Sequence, residues 1–209
     1  IARLYPNLYT KITDQESNTW TSRLFEELRR EKYNIIFEGT MKNNRIADES
    51  ITELKKLGYT VIVRGIAVCD LESRISILER YEGQVNKKGW GRLVTKEHFY
   101  QAYDEMLDTI GKLEELPNVD TIEVYMRGNS PTSPVKIYGD KDTEYLNVTS
   151  AVVNGRMADK KRAILYYNES FRKSISEFKN IEEEKDILNK IKILVGEKEI
   201  SKGDIQSGR

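Results

Sequence analysis

Asn34-Ile35-Ile36-Phe37-Glu38-Gly39-Thr40 is the stretch on which the reading of this chain turns. A short, almost wholly apolar run stops at a carboxylate, a glycine and a hydroxyl. Such a run predicts a strand buried on both faces, as in a parallel α/β sheet. In these sheets ligands bind beyond the carboxyl ends of the strands. Glu38, Gly39 and Thr40 are therefore polar groups placed where a ligand is expected. Gly39 has no Cβ, which allows close approach of backbone or ligand. A strand running into an ordinary turn would leave the same tripeptide, and both readings stand at this point.

Elements on either side support the α/β class. Trp20, Leu24, Phe25 and Leu28 recur at helical spacing before the stretch. After it, Ile51, Leu54 and Leu57 predict a helix stopped by Gly58. Tyr59 to Val68 predicts a second buried strand. Leu71, Ile75 and Leu78 follow as a helix, with Asp70 as its expected cap. Phe99, Ala102, Tyr103, Met106, Ile110 and Leu113 predict a long helix ended by Pro117. Thr121 to Met126 and Val135 to Tyr138 complete the strands. The alternation predicts a doubly wound, mostly parallel sheet. Beyond Tyr138 the texture changes, and residues 156–179 and 182–195 predict two helices. The expected division is a first domain over residues 1–140, a C-terminal helical extension over 141–196 and a flexible tail over 197–209.

Composition excludes several classes. The chain has 209 residues, 33% of them charged, with a formal net charge of zero. Charge therefore gives no argument for nucleic acid or an anionic membrane as partner. No apolar run approaches the roughly 18 residues of a membrane span. The one cysteine, Cys69, allows no internal disulfide, fits a cytoplasmic location and reads as a small buried residue. The one histidine, His98, opens a helix with no second histidine near it, so no metal site is expected. Asn147-Val148-Thr149 matches a glycosylation pattern without consequence in the cytoplasm.

The chemistry concentrates after Asp70. Arg80 is expected to end its helix, and a glycine-bearing loop, Gly83 to Leu93, then carries Lys87, Lys88, Trp90 and Arg92. Arginines on a loop between two helices suit the closing of a small-molecule kinase on a nucleotide, because guanidinium forks clamp phosphates. A solvated basic loop is the other reading of the same residues.

Glu38-Gly39-Thr40, Arg80-Tyr81-Glu82 and Arg92 ahead of Thr95-Lys96-Glu97-His98 together resemble the zeta toxins of bacterial toxin–antitoxin systems. Leu113-Glu114-Glu115-Leu116, Ile122 to Arg127 and Tyr5-Pro6-Asn7 add to the resemblance, which covers residues 1–138. It implies a P-loop kinase fold. The implied activity is phosphorylation of the 3′-hydroxyl of UDP-N-acetylglucosamine by ATP with Mg2+, which inhibits cell-wall synthesis. The implied partner is an epsilon-type antitoxin. Residue by residue, Glu38, Gly39 and Thr40 match the substrate-binding strand end. Lys42 stands where the family often has an arginine, keeping the charge but not the planar fork. Ser50 matches a hydroxyl near the uridine diphosphate, and Arg80 and Arg92 match the catalytic, phosphate-binding arginines of the lid.

The chain also departs from the family. G-x-x-x-x-G-K-[ST], the phosphate-cradling loop, occurs nowhere in the 209 residues. By resemblance the general-base aspartate belongs just ahead of Ile1. The chain is therefore expected to lack the first two strands, the phosphate loop and the first helix, and by itself to be inactive. Ser22 stands where a carboxylate is expected. The retained lid and substrate residues fit a protein whose N-terminal part lies elsewhere. A catalytically dead remnant that binds nucleotide sugar or antitoxin, and another small-molecule P-loop kinase, are the alternatives.

Overall fold

The computed structural model describes residues 4–5, 8–42, 44–128, 133–141 and 143–166. The helix expected over 182–195, the far part of the helix expected over 156–179, the tail, Pro6 and Asn7 lie outside these residues. The order of elements is α1 (Tyr9–Arg30), α2 (Asn44–Lys56), β1 (Ile62–Ile66), α3 (Asp70–Lys88), α4 (Lys96–Glu114), β2 (Thr121–Met126), β3 (Val135–Tyr138) and α5 (Val148–Tyr166). The three strands form one sheet in the order β1-β2-β3. β1 and β2 run parallel, with Val63 opposite Ile122 and Gly65 opposite Val124. β3 returns antiparallel to β2 with an irregularity at Val124/Tyr125. This is the expected α/β class, with a parallel pair, β1 and β2, beside one antiparallel strand.

Alternation along β1 separates two faces. Val63 and Gly65 point inward; Ile62, Arg64 and Ile66 point outward. The inward face packs on α4: a Cβ on Gly65 would stand 2.6 Å from Ile110 Cδ1. Ile51 of α2, Ile110 and Leu113 of α4, and Val148, Ala151 and Val152 of α5 share one core with Val63 and Val124. Burying each large aliphatic side chain contributes about 1.5–3 kcal/mol. The start of α5, expected in a C-terminal extension, is thus part of the same core.

On the outward face Arg64, Glu123 and Lys136 form a charge ladder across the three strands. Glu123 takes Arg64 Nε at 2.6 Å and Lys136 Nζ at 3.3 Å. The hydrogen bond from Arg64, more than Coulombic attraction, holds the Glu123 carboxyl below the usual range.

The opening stretch is a correction. Residues 33–42 form neither helix nor strand and pair with no strand among the described residues. Ile36 is 92% exposed and Phe37 63%. A parallel strand is stabilised by ladders on its edges, and β1 is paired only with β2 among the described residues. Side-chain packing holds the far part of the segment instead. Phe37 meets Phe25 of α1 edge-on at 5.3 Å. Met41, at φ 52, packs against the core.

Other boundaries shifted for local reasons. α1 starts well before Trp20, which is 67% exposed. α5 starts at Val148 rather than Arg156, because Asn147 caps it: Asn147 Oδ1 accepts the Ser150 N–H at 2.8 Å, and Ser150 Oγ accepts the Asn147 N–H at 3.3 Å. The apparent glycosylation pattern is a helix start. Ser50 lies in the middle of α2.

Candidate functional site

α3 carries the first candidate group. Its N-cap is Cys69, not Asp70: the buried Sγ accepts the Glu72 N–H at 3.4 Å. Leu71, Ile75 and Leu78 face the core as their spacing predicts, and none beyond Leu78 is buried. The second half of α3 therefore projects from the body. Arg80 sits exposed within it, not at its end. Gly83, read as the start of a loop, is helical. A single interior glycine costs only about 1 kcal/mol relative to alanine, too little to stop a helix otherwise satisfied. The stop is Gly89, at φ 75, whose N–H reaches the Val85 carbonyl at 2.7 Å. The connection between α3 and α4 is thus residues 89–95, shorter than expected.

That connection folds back onto α3. The Arg92 N–H donates to Gln84 Oε1 at 2.8 Å. Gly91 is buried against the Tyr81 carbonyl, where an added Cβ would lie only 2.7 Å from the oxygen. Trp90 meets Tyr9 of α1 edge-on at 5.1 Å, with Lys88 Nζ 5.3 Å above its ring. Gln84 stands one helical turn beyond Arg80, on the same face. The structure therefore brings the Arg92 backbone alongside the turn of α3 that follows Arg80. Both guanidinium groups are free of ion pairs among the described residues. Thr95 Oγ1 then accepts the His98 N–H at 3.3 Å and starts α4.

The second group is the exposed segment Glu38, Gly39, Thr40 and Lys42, leading into α2, where Ser50 is half-buried. Around Gly39 the space is open: an added Cβ would meet only the Phe37 ring, at 3.6 Å. No hydrogen bond or ion pair among the described residues joins this segment to Arg80 or Arg92. Ser22 lies elsewhere, in an open depression lined only by α1 residues, among them Asp14, Asn18 and Glu26.

Residues without an assigned role in the sequence hold the site together. Arg127, just past β2, donates from Nη1 to Glu72 Oε1 at 2.5 Å. Tyr103 donates to the Val68 carbonyl at 3.1 Å, at the carboxyl end of β1. Arg156 of α5 lies 3.6 Å from the Tyr103 ring centre and donates to the Tyr103 carbonyl at 2.8 Å; burial lowers its pKa from the ordinary value. No local pattern announces these partners, which lie far apart in sequence.

A family model described as zeta toxin matches residues 1–141. The chain belongs to the zeta toxin family. Toxin PezT of Streptococcus pneumoniae serotype 4 is 31% identical over 121 residues, which are 57% of this chain and 44% of that protein. This zeta toxin chain thus spans less than half the length of that curated relative. A solved chain from the PezAT chromosomal toxin–antitoxin system of Streptococcus pneumoniae has a TM-score of 0.61 at 22% identity. The match covers 90% of this chain and 68% of the other, and shows a shared fold. The family assignment bears out the resemblance carried by the Glu38, Arg80 and Arg92 motifs. No helix among the described residues is long and apolar enough to cross a membrane.

Proposed function

We propose that this zeta toxin acts as an ATP-dependent kinase on the 3′-hydroxyl of UDP-N-acetylglucosamine and serves as the toxin of a pair with an epsilon-type antitoxin. The observation that carries the reading is the family match over residues 1–141, within which Arg80 and Arg92 lie on one folded-back segment. Two unpaired guanidinium groups on a projecting helix and its loop suit the phosphates of a nucleotide. Arg80 and Arg92 bind the triphosphate and offset the charge that develops on the transferring phosphoryl group, an effect of about 10³–10⁵ in rate. Glu38 and Thr40 hold the amino sugar, Gly39 allows its close approach, Lys42 faces the substrate, and Ser50 serves the uridine-diphosphate portion.

ATP supplies the phosphoryl group. The residues present fit its phosphates through the two arginines. Mg2+ takes most of its ligands from water and the nucleotide phosphates rather than from a protein cage, and no step is assigned to that ion. The test is UDP-N-acetylglucosamine-dependent ATP consumption by the natural full-length protein, with Arg80→Ala and Arg92→Ala beside it. Turnover that falls strongly in both variants is expected. Wild-type turnover in both would reduce the arginines to surface charge. Binding of the nucleotide sugar without ATP turnover would point instead to a binding protein.

A further inference from the structure

Gln84 has no role in the reading above, yet it makes the contact that fixes the path of the loop. It lies four residues after Arg80 on α3, and its Oε1 accepts the Arg92 N–H at 2.8 Å. The bond uses the backbone of Arg92, so the guanidinium stays available for a ligand. Gly91 makes the approach possible. A Cβ there would stand 2.7 Å from the Tyr81 carbonyl oxygen and 3.1 Å from Val85 Cγ2, so only glycine lies flat against this turn of α3. On the other side Trp90 rests edge-on against Tyr9 at 5.1 Å. Three successive residues, Trp90, Gly91 and Arg92, are thereby tied to fixed partners.

Two exposed arginines joined by a loose loop would gain little by acting together, because ordering such a loop on binding costs about 1–2 kcal/mol of backbone entropy per residue. Here the loop is already ordered, and Arg80 and Arg92 are carried by one piece. Two guanidinium groups carried on one ordered piece, without an ion-pair partner among the described residues, gain when a polyanion binds both.

We propose that Gln84 is a positioning residue: by binding the Arg92 backbone it locks Arg80 and Arg92 into a single, preorganised oligophosphate clamp. The clamp rests on the kinase reading for its biological ligand, but its geometry is tested without it. In the natural full-length protein carrying Trp20→Phe, Trp90 becomes the tryptophan of this segment and reports on titration with inorganic tripolyphosphate. Gln84→Ala weakens that binding about tenfold, the equivalent of one hydrogen bond at the upper end of its usual net worth. Arg92→Ala weakens it as well, and adding Gln84→Ala to Arg92→Ala brings no further loss, because Gln84 acts through Arg92. Amide exchange at Arg92 accelerates about tenfold in Gln84→Ala and stays slow in Gln84→Glu, which keeps an oxygen acceptor. Fully additive losses, or unchanged exchange at Arg92 in Gln84→Ala, would overturn the proposal. Loss of the kinase reading shows up separately, as absent ATP turnover with UDP-N-acetylglucosamine while the tripolyphosphate and exchange results still decide the clamp.

Discussion

Arg127 and Glu72 meet at 2.5 Å, tying the residue after β2 to the first turn of the helix that carries Arg80. The Glu72 side chain is nearly buried and that of Arg127 about one-third exposed. Ser76 also accepts from Arg127, at 3.4 Å. The contact sets where α3 leaves the body, and hence where its projecting half points.

Removing Arg127 takes one charged partner from a nearly buried carboxylate. Arg127→Met is expected to cost about 1–3 kcal/mol, discounted from a fully buried pair because Arg127 is partly solvated. Urea unfolding of the natural protein measures it; a change below about 0.5 kcal/mol, the scale of an ordinary surface substitution, would mean that other partners of Glu72 suffice.

Tyr59 closes the end of α1. Its hydroxyl lies 3.0 Å from the Tyr33 carbonyl, 3.1 Å from that of Arg29 and 3.4 Å from that of Leu28, three acceptors around one donor. Tyr59→Phe is expected to cost about 1 kcal/mol. Its signature is faster amide exchange at Tyr33, whose N–H closes onto Leu28. Loss of stability with no local change in exchange would place the effect in ring packing rather than the hydroxyl.

Ile36 and Ile110 separate the two readings of the opening stretch. Ile110 is fully buried, and Ile110→Ala is expected to cost about 2–5 kcal/mol. Ile36→Ala is expected to change stability by less than about 0.5 kcal/mol. Denaturant midpoints for both variants of the 209-residue chain, measured at equal m-value, check the pair. A cost at Ile36 comparable to that at Ile110 would restore the buried strand.

Tyr138 gives a pH window. Burial first, and then its hydrogen bond to Glu114, push the phenol from 10.0 up to about 12. The same carboxylate accepts the Val148 N–H at 2.9 Å at the start of α5. The unfolded chain ionises near 10 while the folded one resists until about 12. Stability from this group is therefore complete below pH 10 and is lost as pH rises through the folded value. Tyr138→Phe lacks this term. The melting-temperature gap between wild type and variant should stay constant below pH 10 and fall toward pH 12; a flat gap across that range would remove the claim.

Helices and strands with a strong local period were legible. Val135 to Tyr138 and Thr121 to Met126 have the strand limits read from their residues, and Leu71, Ile75 and Leu78 line the buried side of α3. The family was legible too, because Glu38-Gly39-Thr40, Arg80 and Arg92 keep their order and residue types. Helix limits were less so. Asn147 and Cys69 cap through side chains whose role depends on backbone direction, which composition does not show.

The sequence by itself determined which segments carry apolar faces, which class of fold they build and which arginines are chemically suited to phosphate. Those properties are local: they follow from residue type and spacing. Only the tertiary structure shows Asn34 to Phe37 exposed and unpaired among the described residues, because a strand exists through its neighbours and an apolar run cannot supply them. It also decided that α3 continues past Arg80, that Gly91 lies against Tyr81, and that Gln84 reaches the Arg92 backbone. Each of these depends on a partner brought close by the folding of α3 and the loop that follows it, and a hydrogen bond between such residues leaves no period in the sequence.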